Sequence, residues 1–544
     1  MKAKVMIVNE KFANWSTLFF HYLRRDWKKL IFWIAGLGTF ASAYVPAFQE
    51  IAKDGGGVGL FETMENPAIT VMVGPSPVKE GVDYTVGAMY GHEMVLFCGV
   101  FALIVAALHV VGHTRKEEEQ GLTELIRSFQ VGRQANSLAV FIETAVVSLV
   151  LGSFITGFMM SYDVPSITTE GAIIFGLSVG LAGGLGAALA LVAVQLMPSA
   201  SSATGVILSI VGVLYILRGY TDLANLDLSM LNPLGWIYLT YPFVENNYFP
   251  IVLSLVFILA LVVLAFVLEE HRDLGAGYIP QRNGRLEAPK RLLSVPGLLL
   301  RLNFGVILSW LTGYTVLGVA YGSIYGDIQS FLESNDLIKQ MFTVSGISIE
   351  ESFTGTIMMI VAILVAILPV VLVNKLYKEE SQRHLSQLYA TKVSRAKLYW
   401  TTIGLALVAS VLGLVLGAGS LGLTALTVMD HASAMELSDF FLAGVNYLPV
   451  IGIYLGLATV ALGWRPGLGK LVYAYLGFSF VLNYFSGIVD VPEWLLNSAV
   501  LSWVPRMPID AFDLTVCLVL SAISITLLLL GYLGYRYRDL IEND

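Results

Sequence analysis

Apolar stretches of about 20 residues recur along the whole chain, and they constrain its fold more than any other sequence feature. A helix of about 20 residues crosses the hydrocarbon core of a bilayer, about 30 Å thick, with its backbone polar groups bonded within the segment. Only 13% of the residues are charged, about half the share in a soluble domain. We therefore expect an all-α polytopic membrane protein with about twelve transmembrane helices. The predicted spans lie near 29–47, 93–112, 135–159, 171–196, 202–219, 249–268, 304–322, 354–376, 398–425, 440–463, 469–488 and 511–534.

The distribution of basic residues predicts the orientation of these spans. If the N-terminus lies in the cytoplasm, the outer loops hold only five of the 32 Lys and Arg residues, which agrees with the excess of basic residues found in cytoplasmic loops. We therefore expect a multi-pass protein of a bacterial plasma (inner) membrane with both termini in the cytoplasm. The five outer basic residues are Lys53, Lys79, Arg218, Lys339 and Arg506.

The spans divide into two halves with the same plan. We predict a first six-span half at 1–268, a cytoplasmic linker at 269–297 and a second six-span half at 298–544. Each half has a charged segment between its second and third spans, at 113–134 and 377–396. Duplicated halves are common in transporters, although two unrelated six-span bundles would look alike at this level. Each charged segment contains an acidic pair and a later Val-x-Arg: Glu118-Glu119 with Val131 and Arg133, and Glu379-Glu380 with Val393 and Arg395.

The first charged segment has the pattern of an amphipathic helix over 117–129. Its apolar residues recur at helical spacing, which predicts a helix lying on the membrane surface or against another protein. One interpretation is a solvated turn between two spans, but a turn needs only about 2 to 8 residues. The other is a docking surface for a cytoplasmic partner. The apolar stripe consists of Leu122, Leu125, Ile126 and Phe129.

Several kinds of site are not found in the sequence. It has no GxxxxGK[ST] loop, since GWRPGLGKLV (463–472) lacks the spacing and has Leu471 where a metal-binding hydroxyl is needed. No His/Cys cluster indicates a metal site, and no nucleophile-and-base arrangement indicates an enzyme. We expect no nucleic-acid partner. If ATP drives this protein, another chain must bind it.

Segments spread over nearly the whole chain resemble the permease subunits of bacterial ABC exporters of the type-2 class. The similarity is greatest to the two-half permeases associated with export of tetronasin and other polyketide antibiotics. The segments are HTRKEEEQGLTELIRSFQVGR (113–133), EESQRHLSQLYATKVSR (379–395), RDLGAGYIPQR (272–282), LLLRLNFGVILSWLTGYTVLGVAYGSI (298–324), NPAITVMVGP (66–75) and LNPLGWIYLTYPF (231–243).

The resemblance implies a permease that exports a hydrophobic small molecule through the lipid bilayer together with two copies of a separate ATP-binding subunit. This chain would bind no cofactor, and ATP and Mg²⁺ would be held by the partner. The charged segments would be coupling helices, although Gln382, Arg383, His384 and Gln387 replace an expected Gly and acid. The residues implied in coupling are Glu118, Glu119, Gly121, Glu124, Arg133, Glu379, Glu380, Arg383 and Arg395.

Few charged residues lie inside the predicted spans, and each is a functional candidate because burying a charge in a bilayer is costly. Glu143 is the clearest. It either faces the substrate pathway or is paired with His109 or a neighbouring hydroxyl. We expect Glu93 and Arg218, near the outer ends of their spans, to reach the membrane interface.

Three readings of this sequence belong to different functional classes. The first is an ATP-driven exporter permease, and the second an ion-coupled secondary multidrug transporter, which should show buried acids in several spans. The third is a membrane scaffold or sensor without transport. The outer segments 48–92 and 323–353 are either short helices in the headgroup layer or loose loops.

Overall fold

A computed structural model describes residues 10–53, 56–65, 67–280, 287–327, 348–429, 435–485 and 492–540. These residues form helices and connecting turns, with no strand among them. The chain divides into two compact units, Met1–Asn283 and Gly284–Asp544. Each unit has its own large apolar core.

Unit 1 contains six long helices, with short helices in its connections. Its helices are α1 Trp15–Phe40, α2 Val45–Ile51, α3 Gly56–Met64, α4 Pro67–Val73, α5 Val86–His113, α6 Arg115–Glu119, α7 Leu122–Arg127, α8 Ala135–Met160, α9 Thr169–Leu196, α10 Ala200–Ala224, α11 Leu226–Ser229, α12 Gly235–Tyr238 and α13 Phe249–His271.

Among its described residues, unit 2 has a similar order of long and short helices. Its helices are α14 Val295–Gly322, α15 Ile349–Ser381, α16 His384–Tyr389, α17 Arg395–Val428, α18 Leu437–Val445, α19 Leu448–Trp464, α20 Leu471–Phe485, α21 Glu493–Leu496 and α22 Leu514–Tyr537. Single 3₁₀ turns lie at Gly81–Asp83, Lys290–Leu293, Ser323–Asp327, Pro466–Lys470 and Val500–Trp503.

Several helices begin where a hydroxyl side chain can accept a bond from a free backbone N–H. Thr85 caps α5, Thr168 caps α9 and Ser394 caps α17. At α15, Ser348 accepts from the Glu351 N–H while the Glu351 carboxylate accepts from the Ser348 N–H. Such caps stabilise a helix end by about 1 kcal/mol each, so local sequence positions these boundaries.

Eleven helices among the described residues are long and apolar enough to cross a membrane. The predicted fold class, an all-α polytopic membrane protein, is confirmed. The predicted span at 469–488 coincides with α20, which has 15 residues and is followed by residues 486–491 outside the described ranges. At 1.5 Å per residue α20 is about 22 Å long, which is less than the hydrocarbon core.

The same pairs of long helices pack together in both units. The first packs on the third (α1 on α8, α14 on α17), and the second on the fourth (α5 on α9, α15 on α19). The fourth also packs on the sixth, α9 on α13 and α19 on α22. The two units therefore share one packing plan around their fourth long helix.

Helix α9 approaches its neighbours closely because its glycines have no side chain. A Cβ built on Gly186 would lie 2.1 Å from the Leu103 carbonyl oxygen of α5. A Cβ on Gly176 would lie 2.4 Å from the Gly152 carbonyl oxygen of α8. The glycine-rich run at 176–190 therefore serves helix packing, as small residues do in membrane proteins.

The segment 48–92, predicted to be an outer segment, contains short helices, and their position in the headgroup layer stays a prediction. Helices α2, α3 and α4 occupy much of it, and Phe61 is buried. Of the segment 323–353, residues 328–347 lie outside the described ranges.

The expectation that Arg218 reaches the interface is wrong. Its side chain is buried, forms an ion pair with Asp222 at 3.0 Å and donates to the carbonyl oxygens of Val71 and Met72. These carbonyls lie at the end of α4, where a helix leaves acceptors without intrahelical partners. Arg218 therefore holds α4 against α10.

We predict that Gly186→Ala lowers the free energy of unfolding by about 1–3 kcal/mol, because the added methyl forces α5 and α9 apart. The measurement is the thermal unfolding midpoint in detergent. Gly205→Ala on α10 is the matched control, since its Cβ would meet nothing within 4 Å. Equal losses in the two variants would contradict close packing at Gly186.

Candidate functional site

Each charged segment is broken by one residue with left-handed backbone conformation. In the first, Gly121 has φ +75° and separates α6 from α7. In the second, Arg383 has φ +63° and separates α15 from α16. The prediction of one continuous helix over 117–129 is therefore wrong, because this conformation ends the helical hydrogen-bond pattern. Arg383 adopts at some energetic cost the conformation that glycine adopts freely.

In unit 1, Glu118 of α6, which precedes the break, contacts the residue that follows the sixth long helix. Arg272 donates from its two terminal nitrogens to the two oxygens of Glu118, each at 2.9 Å. The Gly275 N–H donates to the same carboxylate at 2.6 Å, and Arg115 lies 3.1 Å from it. The Glu118 and Arg272 side chains are only 9% and 7% exposed.

Unit 2 repeats this pair with Glu380 and Arg538. Both terminal nitrogens of Arg538 donate to the Glu380 carboxylate, the Nη2 bond at 2.7 Å. The Glu380 side chain is 1% exposed and Arg538 is 13% exposed. Arg538 follows α22, as Arg272 follows α13. We call each of these pairs, Glu118–Arg272 and Glu380–Arg538, a Glu–Arg clamp.

Each clamp also holds the third and fourth long helices of its unit. Arg133, just before α8, donates to the Arg272 carbonyl oxygen, and Arg395, at the start of α17, donates to that of Arg538. The guanidinium Nε of Arg272 donates to Gln195 in the last turn of α9, at 2.7 Å. The Nε of Arg538 donates to the Leu462 carbonyl oxygen in α19, at 3.0 Å. The ion pair and these two further bonds thus join the second, third, fourth and sixth long helices at a single end of each unit.

The clamps also show which acidic residues of unit 1 are equivalent to which acidic residues of unit 2. Glu118 and Glu380 are 262 positions apart, as are Gly121 and Arg383, and Arg133 and Arg395. The sequence pattern pairs Glu118-Glu119 of unit 1 with Glu379-Glu380 of unit 2. In the structure the equivalent residues lie one position later in unit 2 than this pairing predicts. Glu379 instead corresponds to Glu117.

The other residues implied in coupling lie around the clamps. Glu119 is exposed, and its carboxylate accepts from the Ala200 N–H at the start of α10, at 2.7 Å. Glu124 is exposed. The half-buried Glu379 lies 2.6 Å from His384.

Burial raises the pKa of the Tyr389 phenol, whose hydroxyl lies 2.8 Å from that of Tyr535.

The exposed faces of the two charged segments differ in chemistry. Leu125 and Phe129 of the first segment are 60% and 68% exposed. The residues 262 positions later, Gln387 and Thr391, are also exposed but polar. The first segment presents an apolar face next to Glu124, and the second presents a polar one. The parts that face the unit interior are alike, whereas the parts that face outward are not.

Glu143 is fully buried in α8 and paired with His109 of α5. The His109 Nε2 lies 3.2 Å from a Glu143 oxygen. Of the two alternatives left open by the sequence, the structure shows the pairing with His109. A role in the substrate pathway stays a prediction.

Sequence reasoning missed Arg272 and Arg538 as partners of the acidic residues. A signal was present, since Arg-Asp-Leu follows the sixth long helix of both units, at 272–274 and 538–540. The motif gives no indication of which acid it meets. No group of three or more His, Cys, Asp or Glu side chains in the described ranges could hold a metal ion.

Comparison with known proteins gives two related results. Residues 292–536 match the family described as multidrug efflux system permease Rv1217c, C-terminal domain. Over 524 residues, 95% of this chain and 94% of its relative, the chain is 28% identical to the multidrug efflux system permease protein Rv1217c of Mycobacterium tuberculosis.

The chain is a multi-pass membrane protein. The similarity to a permease covers 95% of the chain and therefore includes most of both units.

We predict that Glu380→Gln destabilises the protein by about 3–5 kcal/mol, because it leaves the Arg538 charge without its buried partner. The thermal unfolding midpoint measures this loss. Glu124→Gln, at an exposed acid of the first segment, should change stability by no more than about 0.5 kcal/mol.

A double substitution tests the pairing itself. Glu380→Gln with Arg538→Gln should cost less than the sum of the two single changes, because neither partner is then left as an unpaired charge. Additive losses would contradict the clamp.

Proposed function

We propose that this chain is the permease of an ATP-driven ABC exporter of the type-2 class that moves hydrophobic small molecules out of a bacterial cell. The substrates would be antibiotics of the polyketide or polyether ionophore type. A separate ATP-binding subunit, present in two copies, would dock on the two charged segments and hydrolyse ATP with Mg²⁺. Similarity to a protein named as a multidrug efflux permease supports the transport part of this proposal.

The main observation in support of the proposal is an exposed apolar face on a segment that is hydrogen-bonded to the ends of two long helices. Leu122, Leu125 and Phe129 are 40%, 60% and 68% exposed. The same segment is attached through Glu118 to the end of α13 and through Glu119 to the start of α10. A partner that moved this face would therefore also move the long helices to which the segment is bonded.

The orientation of the segments is part of the proposal. The excess of Lys and Arg outside the predicted outer loops supports a cytoplasmic position for both segments, where an ATP-binding subunit has access. The same distribution supports cytoplasmic termini.

The two segments would contribute unequally to docking. The first offers apolar side chains, and burying one such side chain is worth about 1.5–3 kcal/mol. The second offers Gln387 and Thr391 at the equivalent positions. We therefore propose that the first segment supplies most of the binding free energy for its copy of the ATP-binding subunit.

We predict that Leu125→Glu with Phe129→Glu reduces copurification of the ATP-binding subunit by about tenfold or more, since 1.4 kcal/mol corresponds to a factor of ten. The matched control, Gln387→Glu with Thr391→Glu in the second segment, should reduce it by less than about threefold. Undiminished copurification in the first variant would contradict docking on this face, and equal losses would contradict unequal docking.

Antibiotic survival tests the transport function. The chain, expressed in a sensitive bacterium together with its proposed ATP-binding subunit, should raise survival in polyether ionophores. A partner subunit in which the lysine of its nucleotide loop is replaced should abolish the protection. Protection that persists with that inactive subunit would contradict ATP-driven export.

One observation favours the ion-coupled alternative, namely the buried Glu143 beside His109. A transporter of that class would lose activity when the proton gradient is dissipated while ATP is maintained. The exporter proposed here would retain its activity under the same treatment.

A further inference from the structure

Unit 1 contains a buried histidine placed between a cation and a carboxylate. Lys29 Nζ on α1 lies 3.2 Å from Nδ1 of His109 on α5. The opposite ring nitrogen, Nε2, lies 3.2 Å from a carboxylate oxygen of Glu143 on α8. His109 and Glu143 are 2% and 0% exposed. The other Glu143 oxygen has no hydrogen-bond partner within the described ranges.

This geometry determines where the protons lie. A lysine ammonium only donates, so Nδ1 of His109 must be an acceptor. The Nε2–H then donates to the Glu143 carboxylate, and the imidazole is neutral. A proton added to His109 would place an N–H on Nδ1, directly opposite the Lys29 donor. Lys29 would lose its acceptor on α5, while the bond from His109 to Glu143 would become an ion pair.

A path of titratable and charged groups leads from this site to the end of unit 1 that carries α6. The His109 and His113 rings are 4.4 Å apart between centroids. His113 lies 3.1 Å from Asp26 of α1 and 3.1 Å from Glu117 of α6. The Glu117 carboxylate also accepts from Arg25, at 2.7 Å, and from the Tyr22 hydroxyl, at 3.3 Å.

Unit 2 shows that the fold does not require these groups. The residues 262 positions after His109 and Glu143 are Val371 and Leu405. Helices α15 and α17 nevertheless pack together as α5 and α8 do. Because ionisable groups within a membrane are costly, their presence in only one of two similar units indicates a function.

The element that such a site would act on is α1. Four buried residues, Leu30 and Trp33 of α1 with Ala106 and Val147, form an apolar cluster separate from the large core of unit 1. Beside His109 the attachment of α1 combines this small cluster with the Lys29 bond, while Ile34 and Leu37 of α1 also pack against the large core. Removal of the Lys29 bond would therefore loosen α1 locally, next to His109.

We propose that His109, together with Glu143, is a proton-binding site, and that proton uptake from the α6 end of unit 1 releases Lys29 and loosens α1 from α5 and α8. The proton adds to the Nδ1 lone pair of His109, and only the Lys29–His109 hydrogen bond breaks. Loss of the proton restores that bond. The proposal does not depend on the ATP-binding partner.

Trp33 provides a spectroscopic reporter, because its ring lies 6.3 Å from that of His109 between centroids and an imidazolium quenches indole fluorescence. The experiment is a pH titration of the full chain in lipid nanodiscs, with the Trp33→Phe signal subtracted. We expect a single quenching step as the pH is lowered from 8. The step should be absent in His109→Gln.

Two further variants separate a proton site from a general structural effect. Glu143→Gln should lower the midpoint of the step by about one pH unit or more, because it removes the carboxylate that stabilises the imidazolium. Lys29→Met should raise the midpoint, because it removes a neighbouring positive charge. A native chain without a His109-dependent step, or two variants that shift in the same direction, would overturn the proposal.

The loosening of α1 has its own measurement. Spin labels at the exposed positions 32 on α1 and 108 on α5, in a chain with Cys98 and Cys517 replaced, report the separation of the two helices. The distance distribution should broaden or lengthen at pH 5.5 relative to pH 8, and it should not change with pH in His109→Gln. A distribution that is the same at both pH values in the native chain would contradict the release of α1.

Discussion

The Glu–Arg clamp is the interaction on which the arrangement of each unit most depends. A buried carboxylate and guanidinium stabilise a fold only when their geometry is good and their remaining polar atoms are bonded, since removing both from water is costly. Here the guanidinium donates to the carboxylate through two nitrogens and to the fourth long helix through the third. The clamp and the bonds around it therefore join four long helices at the same end as the charged segment.

Comparison of the two units separates the features that both retain from the side chains that differ between them. Both units retain the clamp, the left-handed residue three positions after its glutamate, and the arginine before or at the start of the third long helix. The outward side chains at equivalent positions have diverged, from Leu125 to Gln387 and from Phe129 to Thr391. The buried His109–Glu143 pair has no counterpart at Val371 and Leu405. Side chains that differ between units of one fold are those that stability leaves free to change.

The sequence predicted the long helices well because each is specified locally, by a long apolar run and in several cases by a capping hydroxyl such as Thr85 or Thr168. It also placed Glu118 and Glu380 in the two charged segments, where the structure forms the Glu–Arg clamps. It did not identify their partners, because Arg272 is 154 positions from Glu118 and only the packing of long helices brings them together. Arg218 was misplaced for the same reason, since its acceptors are carbonyls of a short helix 147 and 146 positions away. The break at Gly121 was not predicted because all four apolar residues of the stripe follow it, so their spacing gives no information on residues 117–121.

Helix α10 is bonded to other elements near both of its ends. At its first residue the Ala200 N–H donates to Glu119, and about 27 Å further along, at 1.5 Å per residue, Arg218 donates to the last carbonyls of α4. An axial shift of α10 would therefore carry a displacement of α6 directly to the helix on the opposite side of unit 1. Because α6 also carries Glu118, a displacement of α6 would reach the clamp and the far end of α10 together, so one short helix is linked to both ends of unit 1.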